Sequence, residues 1–559
     1  MKRNKLIIFA IALITLGSCT KKLDELLVNP NTPSVETADA GLFLVTAQLN
    51  YASVVSQSTG IGRAVTRQTN FGAQTYRNAY SAQSFDGIWN TAYTGVFKHV
   101  NALIPTATTN KQWVNTAMAK IMKAHTMMIM VDLFGDIPFT EANLGTDNTN
   151  PAISKGADVY KAAIALLDDA ILDLAKTPGS YPGTSDLFFN ASNATGRTQW
   201  ATAAKLLKLR AINTTRLVDA GAKDKINALI ADPDVVASVT TTARDFEFKY
   251  STKQSNPDSR HPDYASNYQP TGQASDYIQT HFAWSLVVEK GTGDNNNDPR
   301  SRYYLYRQVI NYSKRDENTM SCSVQTRPPH YTASMPFCFT ISGYWTRDHG
   351  DASGIPPDGN YRTTYGIYPA GGEFDANQGT QVSLNRGGNG AGIEPIWQSA
   401  YTEFVKAECA LTIGTNGNAR TLLENGVRRS MAKVQGFAAT IGAAGSVPAS
   451  FAMTQARIDG YVTKVLALYD AATTNADRLN VIAKEYYLAL WGNGMELYNL
   501  YRRTGKPDNF QFMINPNPGS FIRSMYYPAN YANLNKNAVQ KSDVNVQVFW
   551  DTNPPGFIK

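Results

Sequence analysis

The chain predicts a mainly α-helical fold: a scaffold of tetratricopeptide-like helix pairs carrying one irregular, loop-rich lobe with short strands. Three observations predict it. Apolar residues recur at helical spacing in two blocks, turns rich in Asn, Gly and Pro separate stripes of about 15 to 20 residues, and periodicity disappears across residues 246–392. On this basis the helical scaffold comprises residues 36–245 and 393–510, the lobe residues 246–392, and an extended C-terminal segment residues 511–559.

The first element is an export signal, residues 1–18. Lys2, Arg3 and Lys5 precede an almost unbroken apolar run over 6–16, and Leu16, Gly17, Ser18 and Cys19 form a compact cleavage site ending in a thiol. That is the pattern of a bacterial lipobox, with Cys19 as the acylated first residue. The apolar run is about 11 residues, well short of the ~20 a membrane-crossing helix needs. Residues 19–35, polar and carrying Pro30 and Pro33, read as a tether between the acylated end and the body at 36–559.

Helices follow. Val114, Ala117, Ile121, Ala124, Met128 and Val131 form one apolar stripe, Tyr160, Ile164, Leu167, Ile171 and Leu174 a second, and Ala204, Leu207, Ala211, Thr214 and Leu217 a third. The later block repeats the pattern with Ala400, Phe404, Ala407 and Leu411, then Leu423, Val427, Met431 and Val434, then the segment 479–500. No position-by-position consensus recurs, so helix pairs rather than a strict repeat are expected. In the lobe between them, abundant Tyr and Trp argue for order, since disordered segments are poor in aromatics.

Composition narrows the function classes. Charged residues make up 17% of the 559, against a usual ~25%, so the surface is polar but sparsely charged. The formal charge of +7 falls to +4 once Lys2, Arg3 and Lys5 leave with the signal, and no basic run exceeds two residues, which argues against a nucleic-acid partner. Cys322 and Cys338 lie in a loop-rich stretch of an exported chain and are a candidate disulfide. Cys409 falls in a helical pattern and reads as a small buried hydrophobe. No metal site is expected: the thiols lack His or Cys at ligand spacing, and the oxygen-rich turn 294–298 lacks the Gly and closing Glu of an EF-hand. Nor is there a GxSxG, HExxH or phosphate loop, so neither a cofactor nor a catalytic set is expected.

Several phrases recur together in one family. NPN at 29–31, VDLFGDIPFTEA at 131–142, RTQWATAAKLLKLRAINTTR at 197–216, DPRSRYY at 298–304 and YGIYPAGGEFD at 365–375 follow the lipobox in order. EFVKAECAL at 403–411, GMELYNLYRRTGKP at 494–507 and YPANYANLN at 527–535 continue it. In this the chain resembles the SusD/RagB-like nutrient-binding outer-membrane lipoproteins over essentially its whole length. It departs at Tyr531, where the family often has an acid, and at AAKLL over 203–207, which puts local packing in question there. The resemblance implies a lipid-anchored, surface-exposed outer-membrane protein that captures oligosaccharides or peptides and delivers them to a SusC-like TonB-dependent transporter. It implies a binding protein, not an enzyme.

The resemblance also directs attention to two aromatic regions as ligand-facing: Tyr76, Arg77, Asn78 and Tyr80 in the first, and Tyr331, Tyr344, Trp345, Arg347, Asp348 and Tyr361, with His349 and Arg362 nearby, in the second. Aromatic planes cover the CH faces of sugar rings while amides and charged groups take the hydroxyls; the competing role for any one of them is core packing of a lobe without helices. On the ligand reading, Trp345→Ala weakens binding without unfolding the chain. Asp348 and His349, adjacent on an extended chain, point to opposite sides and do not converge on one proton. Glu408, Glu496, Arg502 and Arg503 sit in apolar helical surroundings and are expected to pair between helices. Two rival functions remain: a cell-surface glycan hydrolase, which needs two carboxylates about 5 to 10 Å apart in an aromatic cleft, and a helical-repeat adaptor that binds no small ligand.

Overall fold

A computed structural model of the protein describes residues 40–559 except 271–275, 294–295, 312–314 and 355–356. The signal, Cys19, the tether and the first residues of the 294–298 turn lie outside the described residues.

Ten longer helices carry the architecture among the described residues: α1 (Ala40–Val65), α2 (Lys98–Thr109), α3 (Trp113–Phe134), α4 (Gly156–Ala175), α5 (Ala194–Thr215), α6 (Ser399–Thr412), α7 (Ala419–Thr440), α8 (Gln455–Ala471), α9 (Asn475–Ala489) and α10 (Gly494–Thr504). Local chemistry starts several of them. Asn193, Asn418, Thr454 and Asn493 each accept a hydrogen bond from a first-turn N–H, and Thr474 forms a capping box with Asp477. The segment 479–500, a single stretch by its sequence pattern, is broken into α9 and α10. Gly492 at φ 95° makes the break, and a Cβ there would run into the rings of Pro369 and Pro395.

Helices pack as neighbours in sequence, α3 on α4, α4 on α5, α6 on α7 and α8 on α9. The first stripe differs from expectation: α3 is buried around nearly its whole circumference, including Asn115, Thr116, His125, Thr126 and Asp132. A helix enclosed on all sides has no face free to be polar. α4 keeps a one-sided stripe through Val159, Tyr160, Ala163, Leu167, Ala170 and Leu174, with Ile164 and Ile171 at its half-buried edge. α1 and α10 cross so closely at Gly62 and Gly494 that a Cβ on either would overlap the main chain of the other.

Buried polar groups lock these helices together. Asp132 accepts from Tyr160 Oη at 2.5 Å, Arg210 Nη2 at 2.6 Å, Asn499 Nδ2 at 2.9 Å and Trp550 Nε1 at 2.9 Å, joining α3, α4, α5, α10 and the C-terminal segment at one carboxylate. Glu496 also pairs with Arg210. Glu408 on α6 takes Arg503 at 2.8 Å and Arg216 at 2.6 Å. Burial alone pushes the Glu408 carboxyl up, but these two guanidinium groups outweigh it and hold its pKa down at about 2. Cys409 beside it is buried and free.

The strands are short and antiparallel: β1 (Ile137–Pro138) with β2 (Ile153–Ser154), β3 (Phe246–Lys249) with β6 (Ile393–Trp397), and β4 (Leu305–Arg307) with β5 (Thr363–Tyr365). β3 and β6 fall where helical periodicity stops and resumes, so the chain enters and leaves the irregular region side by side. Residues 505–559 contain one short helix, Ala529–Leu534, and otherwise run along the helices, with Met525 N bonded to Leu133 O at 2.7 Å and Tyr527 Oη to Asp136 O at 2.7 Å.

Candidate functional site

The end of α1 builds the first wall of the site. After Val65 the chain turns through Arg67 in the left-handed region, φ 66°, and its guanidinium is pinned by Val65 O, Gln511 O, Tyr76 Oη and Lys559 O. Asn70 N then bonds to Tyr277 O at 3.1 Å, carrying the chain into the irregular region. Phe71 and Tyr76 anchor the turn that follows. Phe71 stacks on His349 with ring centroids 4.8 Å apart, and Tyr76 sits edge-on to Phe521 at 5.2 Å while its N–H reaches Pro518 O at 2.9 Å. With those two rings turned inward, Arg77 and Asn78 are exposed and Tyr80 is half-buried.

The two aromatic regions singled out in the sequence therefore meet, at Phe71, Tyr76 and His349. Tyr76 Oη lies 3.3 Å from His349 Nε2, and Gly350 N bonds to Phe71 O at 3.0 Å. Burial pushes the Tyr76 phenol up to about 12 and holds the His349 imidazole well below its ordinary value, so both are neutral at physiological pH.

Most of the second region faces inward. Tyr344 is 3% exposed, with the Arg307 guanidinium 4.9 Å from its ring centre. Trp345 is 1% exposed, donates Nε1 to Asp358 at 3.1 Å and stacks on Tyr361 at 5.2 Å. Arg347 pairs with Asp351 at 2.8 Å and covers the Tyr277 ring. Asp348 accepts from Gln511 Nε2 at 2.6 Å and from Cys338 N at 3.1 Å, and burial lifts its pKa to about 6. Tyr331 is buried and donates Oη to Phe512 O at 2.8 Å. The hollow bordering Trp345 is only about 20 Å³, too small for a sugar ring, so direct stacking of a ligand on that indole is not available in this arrangement. Its core role follows from a lobe that lacks long helices and fills its interior with aromatics. Tyr361 is half-buried and borders a surface hollow of about 370 Å³.

Cys322 and Cys338 are bonded to each other, closing a loop that carries His330 and Tyr331. His330 Nε2 lies 2.8 Å from Met513 O, so the loop docks on the C-terminal segment.

Two cavities flank the turn at Tyr76. On one side a cleft of about 490 Å³ is lined by residues 70–75 and 78–80, with the amides of Asn70, Gln74 and Asn78, the hydroxyl of Thr75 and the ring of Tyr80. No charged side chain lines it. On the other side a pocket of about 810 Å³ lies between the turn, His330 and the loops of the C-terminal segment around Phe512, Phe521 and Ile558. From its sequence that segment is expected only to be extended. The available signal was the turn-forming run NPNPGS at 515–520 flanked by Phe512 and Phe521, a composition that makes loops with apolar walls.

Among the described residues no group of three or more His, Cys, Asp or Glu is placed to hold a metal ion, and no helix is long and apolar enough to cross a membrane.

Residues 30–323 match the family model described as "Starch-binding associating with outer membrane", which alone spans more than half the chain. Residues 389–548 match the model "Susd and RagB outer membrane lipoprotein". No curated protein matches. Solved structures share the fold: a SusD/RagB family protein from Bacteroides thetaiotaomicron VPI-5482 is 18% identical, with TM-score 0.67 over 92% of this chain and 100% of that one. A chitin-binding protein is 18% identical, with TM-score 0.62 over 92% and 100%. A chitin-binding SusD homolog from Flavobacterium johnsoniae is 17% identical, with TM-score 0.59 over 92% and 98%. The chain belongs to the SusD/RagB family of outer-membrane lipoproteins.

Proposed function

We propose that this protein captures oligosaccharides at the cell surface in the cleft formed by residues 70–80 and passes them to a TonB-dependent outer-membrane transporter, held at the membrane by acylation of Cys19. The carrying observation is the lining of the cleft: amides, a hydroxyl and one partly open aromatic ring, with no charged side chain. Neutral donors and acceptors around a flat ring suit the hydroxyls and CH faces of sugars, whereas peptide termini and charged side chains find no counter-ion there. The chitin-binding names of two solved structures with this fold, and the starch-binding description of the family model, support the same ligand class.

Binding without turnover is the favoured chemistry, because hydrolysis of a glycosidic bond needs a pair of carboxylates and none lines the cleft. The test is a panel of soluble oligosaccharides and oligopeptides screened by calorimetry. Tyr80→Ala and Asn78→Ala are each expected to weaken the best saccharide by about three- to thirtyfold, the loss of one stacking or hydrogen-bonding contact. Tight binding of peptides but no saccharide, or saccharide affinity indifferent to both substitutions, refutes the proposal. Capture of the transporter by the full-length lipoprotein in detergent tests the partner.

A further inference from the structure

The 810 Å³ pocket across the Tyr76 turn differs from the cleft in electrostatics as well as size. Arg67, Arg523, Lys559 and His330 line it, and no Asp or Glu side chain does. Arg523 is balanced by Asp551 behind it, Nη1 to Oδ1 at 3.0 Å. Arg67 is fully buried and has no such side-chain partner: its guanidinium donates to Val65 O, Gln511 O, Lys559 O and the neutral Tyr76 phenol. The Lys559 ammonium, also without an acidic side-chain partner among the described residues, lies over the Phe512 ring at 5.7 Å. Counting an α-carboxylate at Lys559 against these two still leaves one positive charge over. In a cavity with a protein back wall, such a charge acts at lower effective dielectric than in bulk water.

The remaining lining suits a ring. Phe512 is half-buried, Pro516 and Pro555 are exposed, and together they present flat apolar faces, while Ser520, Asn545 and Gln547 are exposed at the mouth with hydroxyl and amide groups. The volume lies within the range of built ligand sites.

We propose that this pocket binds a carboxylate-bearing sugar, a hexuronate unit of an acidic oligosaccharide, so that the captured polymer carries uronate residues. This deepens the oligosaccharide reading and rests on it. The apolar faces cover the ring, the amides take its hydroxyls, and the field of Arg67 and Lys559 selects its carboxylate. A neutral polymer gains nothing from that field.

The experiment uses the full-length protein in detergent and calorimetry with oligogalacturonates, oligomannuronates and glucuronate-containing oligomers, each beside its carboxyl-reduced counterpart of the same length. At least one acidic oligomer is expected to bind about tenfold or more tightly than its reduced form, with the preference shrinking as salt is raised. Ser520→Trp, an exposed substitution that fills the pocket, is expected to abolish that preference while leaving the melting temperature unchanged. Lys559→Ala lowers the preference about threefold. Equal binding of every acidic and reduced pair, or a preference that survives Ser520→Trp, overturns the pocket assignment. If the reduced oligomers still bind and Tyr80→Ala still weakens them, the cleft reading stands alone; if no saccharide of either kind binds, both fall.

Discussion

Trp345→Ala separates the two roles open to the aromatic lobe. The indole is 1% exposed, clusters with Met320, Cys322 and Cys338, stacks on Tyr361 and donates to Asp358 at 3.1 Å. Deleting a buried Trp side chain costs about 3 to 5 kcal/mol from lost burial and the cavity left behind. The lost hydrogen bond adds little unsatisfied polarity, since Asp358 still accepts from Tyr277 Oη at 2.6 Å and Arg362 Nε at 2.8 Å. Tyr361, half-buried, has room to slump into the gap, which places the expected loss near the lower bound, about 3 kcal/mol. The assay is urea unfolding followed by far-ultraviolet circular dichroism, with saccharide affinity measured on the folded fraction. Trp345→Phe keeps the stack and loses the N–H, so its midpoint falls between wild type and Trp345→Ala. A midpoint unchanged in Trp345→Ala, with affinity lost, refutes the core assignment and restores the indole as a ligand platform.

Two buried carboxylates give pH signatures of opposite sign. Glu408, held at about 2 by Arg216 and Arg503 against its burial, contributes stability that is complete above its unfolded value near 4.5 and lost as pH falls toward 2. Glu408→Gln strands two buried guanidinium groups and is expected to cost about 3 to 5 kcal/mol at pH 7, the gap to wild type closing below pH ~4 in acid titrations; a gap constant from pH 7 to 3 contradicts the pairing. Glu394 is pushed up to about 8, first by burial and then by Asp263, with Arg63 opposing. Its contribution is therefore complete below its unfolded value near 4.5 and lost as pH rises through 8. Wild type is expected to lose ground against Glu394→Gln between about pH 5 and pH 8, and parallel stability curves over that range contradict it.

The scaffold was legible because its signals are periodic and redundant. A stripe such as Tyr160 to Leu174 repeats one instruction over several turns, and a capping residue such as Thr474 repeats it at the end. What periodicity does not carry is enclosure. α3 and α4 have similar apolar spacing, yet α3 is surrounded because α1, α2, α4 and α5 all pack on it, and at its last turn Asp132 ties in Tyr160, Arg210, Asn499 and Trp550, residues far apart in the chain. The break between α9 and α10, by contrast, has a local signal in Gly492, Asn493 and Gly494; only the close approach of Pro369 and Pro395 to Gly492 comes from far away in the chain.

The site was legible in location rather than in detail, and the reason lies in what an aromatic residue is asked to do there. Where long helices are lacking, Tyr, Trp and Phe supply the buried area, so aromatic density marks the interior as strongly as it marks a binding face. Tyr76 and Tyr80 are four residues apart in one turn, yet Tyr76 is held inward by Arg67 and Pro518, and Tyr80 is left at the cleft. The partners that sort them come from the end of α1 and from a loop more than 400 residues later in the chain. The same loop closes the second pocket, so the segment that decides which aromatics are core also creates the cavity that no local pattern announced. Ligand selectivity in this protein is therefore expected to track changes at 512–521 as much as changes at 76–80, and exchanging Pro516 and Asn517 for bulkier residues, which leaves every sequence-predicted site residue intact, tests that coupling through its effect on saccharide preference.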